Sequence, residues 1–172
     1  MAQFAIRLYA TGDLAEELTQ YQGELFQTLG RPVDLPYCPL VDNFGEEGLS
    51  TDDCIAQLDT AIMGAPKQND TVVEVIEPHY SVHQHQLELS SAWVHAVITA
   101  LAGQLQRAQV QICPKEALYL LLALPEDESQ HKTLQPLAEA VNWTAKAGWD
   151  MQLYQGNGDD WMMEGSWPIQ QP

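Results

Sequence analysis

Basic side chains are scarce in this sequence of 172 residues. Seven lysines and arginines stand against 24 aspartates and glutamates, so the formal net charge is −17. Proteins that bind nucleic acid or anionic membranes neutralise phosphate groups with clustered basic side chains, and the seven here are scattered. The composition therefore argues against both partners. It leaves open whether the acidic surface only keeps the protein in solution or docks a basic protein partner.

Cysteines and long apolar runs are also few. The three cysteines, Cys38, Cys54 and Cys113, are an odd number without Cys-x-x-Cys spacing. That pattern argues against a disulfide framework or a structural zinc site. No apolar run approaches the roughly 20 residues that span a bilayer, and the first residues lack the basic and apolar regions of a signal peptide. We therefore expect a cytoplasmic protein.

The apolar content of 45 % is enough for one folded domain, which we expect to include residues 1–172. Strand patterns of period two alternate along the chain with helical patterns of period 3.6, and this alternation predicts an α+β fold. The predicted strands are 4–9, 37–44, 71–76, 83–89, 118–124, 149–154 and 161–167, and the predicted helices are 14–29, 51–64, 92–107 and 130–147.

Several polar residues and prolines predict where these elements begin and end. Asp13 and Glu16 have the spacing of a helix capping box, and serines precede the second and third helices. Pro78 is expected to separate two strands. The segment 156–160 resembles a calcium loop only loosely, because it lacks the EF-hand pattern, and we interpret it as a hairpin turn.

One sequence pattern occurs twice. Residues 4–9 and 149–154 both read aromatic-x-aliphatic-polar-Leu-Tyr, and a glycine follows each. Two amphipathic strands can share such a pattern by chance. It would also fit a fold of two pseudo-symmetric lobes.

Five segments, in order, carry a resemblance to a known family. They are PYCPL at 36–40, HQLELSSAW at 85–93, YLLLA at 119–123, GWDMQLY at 148–154 and the tryptophan-rich end at 161–168. Together they resemble the 2H phosphoesterases, the superfamily of LigT-like RNA and cyclic-nucleotide phosphodiesterases, and most of all a version found in photosynthetic bacteria. The resemblance covers nearly the whole chain. It implies a two-lobed fold in which antiparallel sheets line a central groove and the helices lie outside.

The departures from the family pattern fall on its two His-x-Thr/Ser motifs. In the family, one histidine activates a nucleophile, the other protonates the leaving oxygen, and the hydroxyls hold the phosphate. Here Tyr37 and Tyr119 stand at the histidine positions, and Pro39 and Leu121 stand at the hydroxyl positions. A phenol with a pKa near 10 is only about one part in a thousand ionised at pH 7. Because acid and base catalysis are worth roughly 10²–10⁴ each, the resemblance implies a catalytically inactive relative.

Our hypothesis from the sequence is a catalytically inactive, cytoplasmic binding or scaffold module. It would bind a small ligand or a protein partner in the former active-site groove, lined by Tyr37, Cys38, Tyr119, Leu121 and His85. The alternative is an active 2′,3′-cyclic phosphodiesterase or cyclic-nucleotide hydrolase that uses other residues, of which His83 and His85 are the least poor candidates.

A metal site is the remaining chemical possibility. His83 and His85 would share a strand face, and with His79 and a carboxylate such as Glu77 they could hold zinc. The plainer interpretation is ordinary strand and loop histidines, so we expect neither a metal nor another cofactor. Most of the tryptophans are expected to pack in the core. Tyr37 and Tyr119 would pack together or line an aromatic pocket.

Overall fold

The computed structural model describes residues 3–45, 47–66, 73–157 and 160–169. Seven strands and four helices lie within these residues. In chain order they are β1 (Gln3–Gly12), α1 (Asp13–Leu29), β2 (Cys38–Phe44), α2 (Thr51–Gly64), β3 (Glu74–Tyr80), β4 (His85–Ser90), α3 (Ala92–Arg107), β5 (Leu118–Ala123), α4 (Glu128–Glu139), β6 (Ala147–Asn157) and β7 (Asp160–Ile169).

The strands form two sheets whose paired strands are all antiparallel. One has the order β2-β1-β6-β7 and the other the order β3-β4-β5. The sheets meet where β2 and β5 run side by side. There the Leu121 N–H donates a hydrogen bond to the Tyr37 carbonyl at 3.2 Å, and the Lys115 N–H donates to the Leu40 carbonyl at 3.1 Å. The predicted α+β class and two-sheet arrangement are confirmed.

Helices cover one side of each sheet. The Tyr21 hydroxyl of α1 donates to the Leu122 carbonyl of β5 at 3.5 Å, and α4 contacts β4 through a histidine pair described below. The indole N–H of Trp167 in β7 donates to the Asp59 carboxylate of α2 at 2.7 Å, and α2 packs on α3. Because strand side chains alternate between two sides, half of them lie buried under the helices. We call the other, uncovered side the open face of each sheet.

The boundaries of α1, α2 and α3 follow the sequence closely, with one error in the predicted cap at the start of α1. Gly12, at φ 71°, stands at the N-cap, and no side chain caps the helix, so the predicted Asp13 capping box is wrong. The Leu14 N–H instead donates to the Lys146 carbonyl at 3.1 Å. Gly30 ends α1 in the left-handed conformation, and Ser50 and Ser91 cap α2 and α3 as predicted.

The last helix is shorter than predicted. It ends at Glu139, three residues after an internal proline, Pro136, and Asn142 then directs the chain into a turn. The Asn142 side-chain oxygen accepts from the N–H and the hydroxyl of Thr144, which replaces helical hydrogen bonding. The strand β6 starts at Ala147, where the sequence pattern predicted helix.

The strand β3 passes through Pro78, against the prediction of a break there. A proline is tolerated because β3 is an edge strand of its sheet and its pairing with β4 is irregular between Val75 and Pro78. The predicted strand residues Thr71 and Val72 lie outside the described part of the chain. No helix in the described part is long and apolar enough to cross a membrane.

The repeated pattern does not relate two lobes. Its copies lie in β1 and β6, which are neighbours in one sheet, with Ala5 opposite Tyr154 and Arg7 opposite Gln152. The strands β6 and β7 pair as far as Asn157 opposite Asp160, which agrees with the predicted hairpin. Gly158 and Asp159, which also belong to the predicted turn, lie outside the described residues.

Candidate functional site

The four motif positions lie together where β2 meets β5. Tyr37, Pro39, Tyr119 and Leu121 are half-buried on the open face. The residues that alternate with them point under the helices and are at most 3 % exposed: Cys38, Leu40, Leu118, Leu120 and Leu122. The backbone hydrogen bond from Leu121 to Tyr37 holds the two motif segments side by side.

Two of the predicted groove residues point away from the groove. Cys38 stands between Tyr37 and Pro39, so strand alternation turns its side chain into the core, where it is 0 % exposed. His85 is also 0 % exposed and shares the covered side of β4 with the buried Leu87 and Leu89. The prediction that Cys38 and His85 line the groove is therefore corrected.

The open face of the larger sheet contains an arginine surrounded by aromatic rings. The Arg7 Cζ lies 4.5 Å from the ring centroid of Tyr37, 4.7 Å from that of Tyr154 and 5.4 Å from that of Trp161. Its Nε is buried without a hydrogen-bond partner, and no described carboxylate forms an ion pair with it. Cation–π contacts of roughly 0.5–2 kcal/mol each hold the guanidinium in place. This aromatic cage of Tyr37, Tyr154 and Trp161 was not predicted from the sequence.

A glycine makes the aromatic cage possible. Gly156 lies opposite Trp161 in the β6–β7 pairing, and a Cβ built on Gly156 would lie 2.6 Å from the indole. Only a glycine therefore lets the indole lie flat over β6 and reach Arg7. The Tyr9 ring completes the surface at 5.6 Å from Tyr37. The sequence signal that could have predicted this contact is a tryptophan opposite a glycine on the neighbouring strand. To recognise it, one needs the register of the β6–β7 pairing.

The phenols of Tyr9 and Tyr37 are neutral at physiological pH. Burial raises the pKa of Tyr37, and the Arg7 guanidinium lowers it by less. Burial likewise raises the pKa of Tyr9, with a further rise from its hydrogen bond to Tyr154. A phenol whose pKa exceeds 10 is ionised even less at neutral pH than the free side chain, so less phenolate is present to accept a proton. These tyrosines offer ring faces and hydroxyl hydrogen bonds rather than proton abstraction.

The buried carboxylate on the same face, that of Asp150, accepts hydrogen bonds at both of its oxygens. Asp150 is 8 % exposed and accepts hydrogen bonds from the Ser166 hydroxyl at 2.7 Å and the Gln152 amide at 2.6 Å. The Gln152 carbonyl in turn accepts from the Tyr154 hydroxyl at 2.7 Å. Because its oxygens are occupied by neighbouring side chains, Asp150 braces the aromatic cage and is poorly placed to act as a base.

The predicted histidine cluster does not assemble as proposed. His83 is exposed in the turn between β3 and β4, and His85 is buried on the covered side of β4. His79 lies on the open face of β3, next to Glu77 and Glu88. Glu88 is a residue that sequence reasoning missed, since its position depends on how β4 pairs with β3.

An apolar cleft of about 320 Å³ opens beside Tyr37 and Leu121. Its walls are Leu25 and Leu29 of α1, the segment that joins α1 to β2, the end of β5, and Leu134 of α4. Arg31 at this cleft forms an ion pair with Glu126 at 3.1 Å. The cleft extends the groove with apolar surface of the kind that small-molecule sites use.

The three thiols differ in accessibility, which gives a direct test of the strand faces. Burial raises the pKa values of Cys38 and Cys54 to about 12, whereas Cys113 is exposed. We expect a thiolate-specific disulfide reagent at pH 8 to label one cysteine per folded chain and all three in denaturant. Rapid labelling of Cys38, in the native protein or in a Cys113→Ser variant, would contradict its placement in the core.

Comparison with known proteins identifies the fold. No family model and no curated protein matches the sequence. Among solved structures, the chain is similar to Escherichia coli LigT in its apo form, with 14 % identity, 98 % coverage of each chain and a TM-score of 0.51. LigT complexed with 3′-AMP and with phosphate match over the same coverage with the same TM-score, at 13 % and 15 % identity. The LigT-like 2H phosphoesterase fold expected from the sequence is confirmed.

Proposed function

We propose that this protein is a catalytically inactive 2H-fold binding module of the cytoplasm, and that its groove binds a small ligand or a segment of a protein partner. One observation carries the proposal. The motif positions lie side by side on the open face, but they hold Tyr37, Pro39, Tyr119 and Leu121 instead of histidines and hydroxyls.

The chemistry of these replacements supports binding over turnover. Burial raises the pKa of Tyr37, which leaves almost no phenolate at neutral pH to act as a base, and Pro39 and Leu121 offer no side-chain donor to a phosphate group. The loss of two acid–base groups removes on the order of 5–11 kcal/mol of transition-state stabilisation. The aromatic cage does not replace it, since Arg7 can hold a negative group but cannot move a proton at neutral pH.

The surface that remains suits a ligand with a flat or anionic group. Ring faces of Tyr9, Tyr37 and Tyr154 offer stacking, and Arg7 is a cation without a carboxylate partner among the described residues. The adjoining apolar cleft adds room for a hydrophobic group. These features are typical of binding sites that fix orientation with a few polar groups on an apolar wall.

The alternative function is an active cyclic phosphodiesterase that works through other residues. It needs an acid and a base on the open face. His85 is buried on the covered side, His83 lies in an exposed turn, and His79 is hydrogen-bonded to Glu88 at 2.9 Å. The separation of these histidines supports the binding module over the alternative.

The test is hydrolysis of a 2′,3′-cyclic nucleotide panel and of an oligonucleotide that ends in a cyclic phosphate. We expect no turnover above the buffer blank from the native chain. An active 2H phosphoesterase run in parallel gives the reference rate. The matched variant restores the family motifs with Tyr37→His, Pro39→Thr, Tyr119→His and Leu121→Ser, and its folding is checked by circular dichroism.

The binding module and the active phosphodiesterase predict different hydrolysis rates for the native chain and the restored variant. Gain of measurable hydrolysis in the restored variant, with none in the native chain, would support a groove that kept its shape and lost its chemistry. Native turnover near the reference rate would overturn the proposal. A His79→Ala variant would then show whether the remaining open-face histidine carries that activity.

A further inference from the structure

Three potential metal ligands converge on the open face of the β3-β4-β5 sheet. The His79 Nε2 lies 2.9 Å from Glu88 Oε2 and 3.8 Å from Glu77 Oε1. One ligand atom from each residue lies within 4.8 Å of the other two. The side chains of His79 and Glu88 are 43 % and 38 % exposed, so they are partly shielded from solvent and still accessible to an ion.

The backbone builds this convergence from two paired strands. Val75 lies opposite Leu89 and Pro78 lies opposite Leu87, so β3 advances three residues while β4 advances two. This β-bulge puts an extra residue of β3 opposite Glu88. Pro78 and Tyr80 pair with residues on the covered side, so Glu77 and His79 take the open side with Glu88. The arrangement therefore belongs to the sheet rather than to a freely moving loop.

The charge of the cluster is not balanced by the protein. Among described residues, the lysine and arginine ion pairs are made to Glu126, Asp42 and Glu128, and none is made to Glu77 or Glu88. Two carboxylates thus share one imidazole, in a chain of net charge −17. A bound cation would supply the missing positive charge and would use the imidazole nitrogen as a neutral ligand.

We propose that Glu77, His79 and Glu88 bind one divalent transition-metal ion, with Zn²⁺ as the best match. One nitrogen and two carboxylate oxygens leave a fourth tetrahedral position for water, as in open zinc sites. Zinc bonds of about 2.0–2.2 Å require a small rotation of the exposed Glu77 side chain toward the other two ligands. The imidazole disfavours Mg²⁺ and Ca²⁺, which prefer oxygen ligands. This inference is independent of what the groove binds.

Zinc titration of the full chain by calorimetry tests the site. The background carries Cys113→Ser, because Cys113 is an exposed thiol and thiolates are themselves zinc ligands. We expect one Zn²⁺ per chain and an affinity at least about tenfold lower in His79→Ala and in Glu88→Gln, since even indirect partners of metal ligands are worth 10–100-fold. The matched control is His83→Ala, which removes an exposed histidine from the adjoining turn and should bind zinc as the parent does.

Three results would overturn the metal site. They are the absence of zinc binding by the parent, unchanged affinity in both His79→Ala and Glu88→Gln, and an equal loss in His83→Ala. Displacement of zinc by equimolar Mg²⁺ would also contradict the nitrogen ligand. Because the substitutions lie at exposed or half-exposed positions, circular dichroism should show folded variants, and loss of binding then reports the site alone.

Discussion

Replacement of Trp149 by alanine is expected to lower the free energy of unfolding by about 3–5 kcal/mol, whereas the same change at Trp161 should lower it by about 1–2 kcal/mol. Trp149 is 1 % exposed on the covered side of β6 and lies within the main core. Its removal leaves a large cavity between the sheet and the helices. Trp161 lies half-exposed on the open face, where it loses its contacts with Arg7 and Gly156.

Urea unfolding of the two variants measures this difference in the free energy of unfolding. It is calculated from the urea concentrations at the two transition midpoints with one common m-value. A Trp149→Phe control should cost less than alanine. It keeps most of the ring and removes an indole N–H that is buried without a partner. Equal losses for Trp149→Ala and Trp161→Ala would mean that Trp161 belongs to the core, and the open aromatic cage would then be wrong.

The contrast between these tryptophans shows what strand alternation can predict. Most tryptophans were expected in the core, and alternation places Trp149 there with the apolar residues Met151 and Leu153. The position of Trp161 depends on a non-local fact. Its indole crosses the neighbouring strand because Gly156 is its partner, and that partner is fixed by the hairpin register. A period-two pattern gives the face of a residue in its own strand but not its neighbour in the next one.

The same limit, that a sequence pattern does not show a residue's neighbour on the next strand, explains what was missed at the candidate site. The family resemblance identified four positions in two short segments. Tyr37 and Pro39 are two residues apart, as are Tyr119 and Leu121, so the members of each pair lie on the same face of their strand. Cys38 was wrongly included because it is adjacent to Tyr37 in sequence, although adjacency in a strand means opposite sides. Glu88 was missed because its link to His79 crosses strands through a β-bulge.

The buried histidine pair makes a second large effect predictable. The His85 Nε2 lies 2.8 Å from the His131 Nδ1, and the His85 Nδ1 is buried without a partner. A buried N–H without a partner costs more than a buried lone pair, so we assign the donor to His85 Nε2 and the acceptor to His131 Nδ1. Tyr80 packs edge-on against His85 from β3 and fills the remaining side with a neutral ring.

This pair should make the protein sensitive to mild acid. Burial lowers the pKa of His85 below its ordinary value of 6.5, and the neighbouring His131 lowers it further. The folded state therefore resists a proton that the unfolded chain accepts, and stability falls as the pH drops below about 6.5. Between pH 7.5 and pH 5.0 the loss from His85 is at most about 2 kcal/mol, which is 1.5 pH units at about 1.36 kcal/mol each.

Urea unfolding at these two pH values, compared with a His85→Leu variant, isolates the contribution of the pair. The net charge becomes less negative at pH 5.0 in both proteins, so relief of self-repulsion cancels in the difference. We expect the native chain to lose more stability than His85→Leu over this interval, and His95→Ala, which removes an exposed histidine of α3, to behave as the native chain. An identical pH response in native and His85→Leu proteins would mean that His85 accepts a proton in the folded state. That result would also require an acceptor such as water to reach His85 Nδ1 in acid, because the added proton goes to this nitrogen, which is buried without a partner, while Nε2 keeps its hydrogen bond to His131.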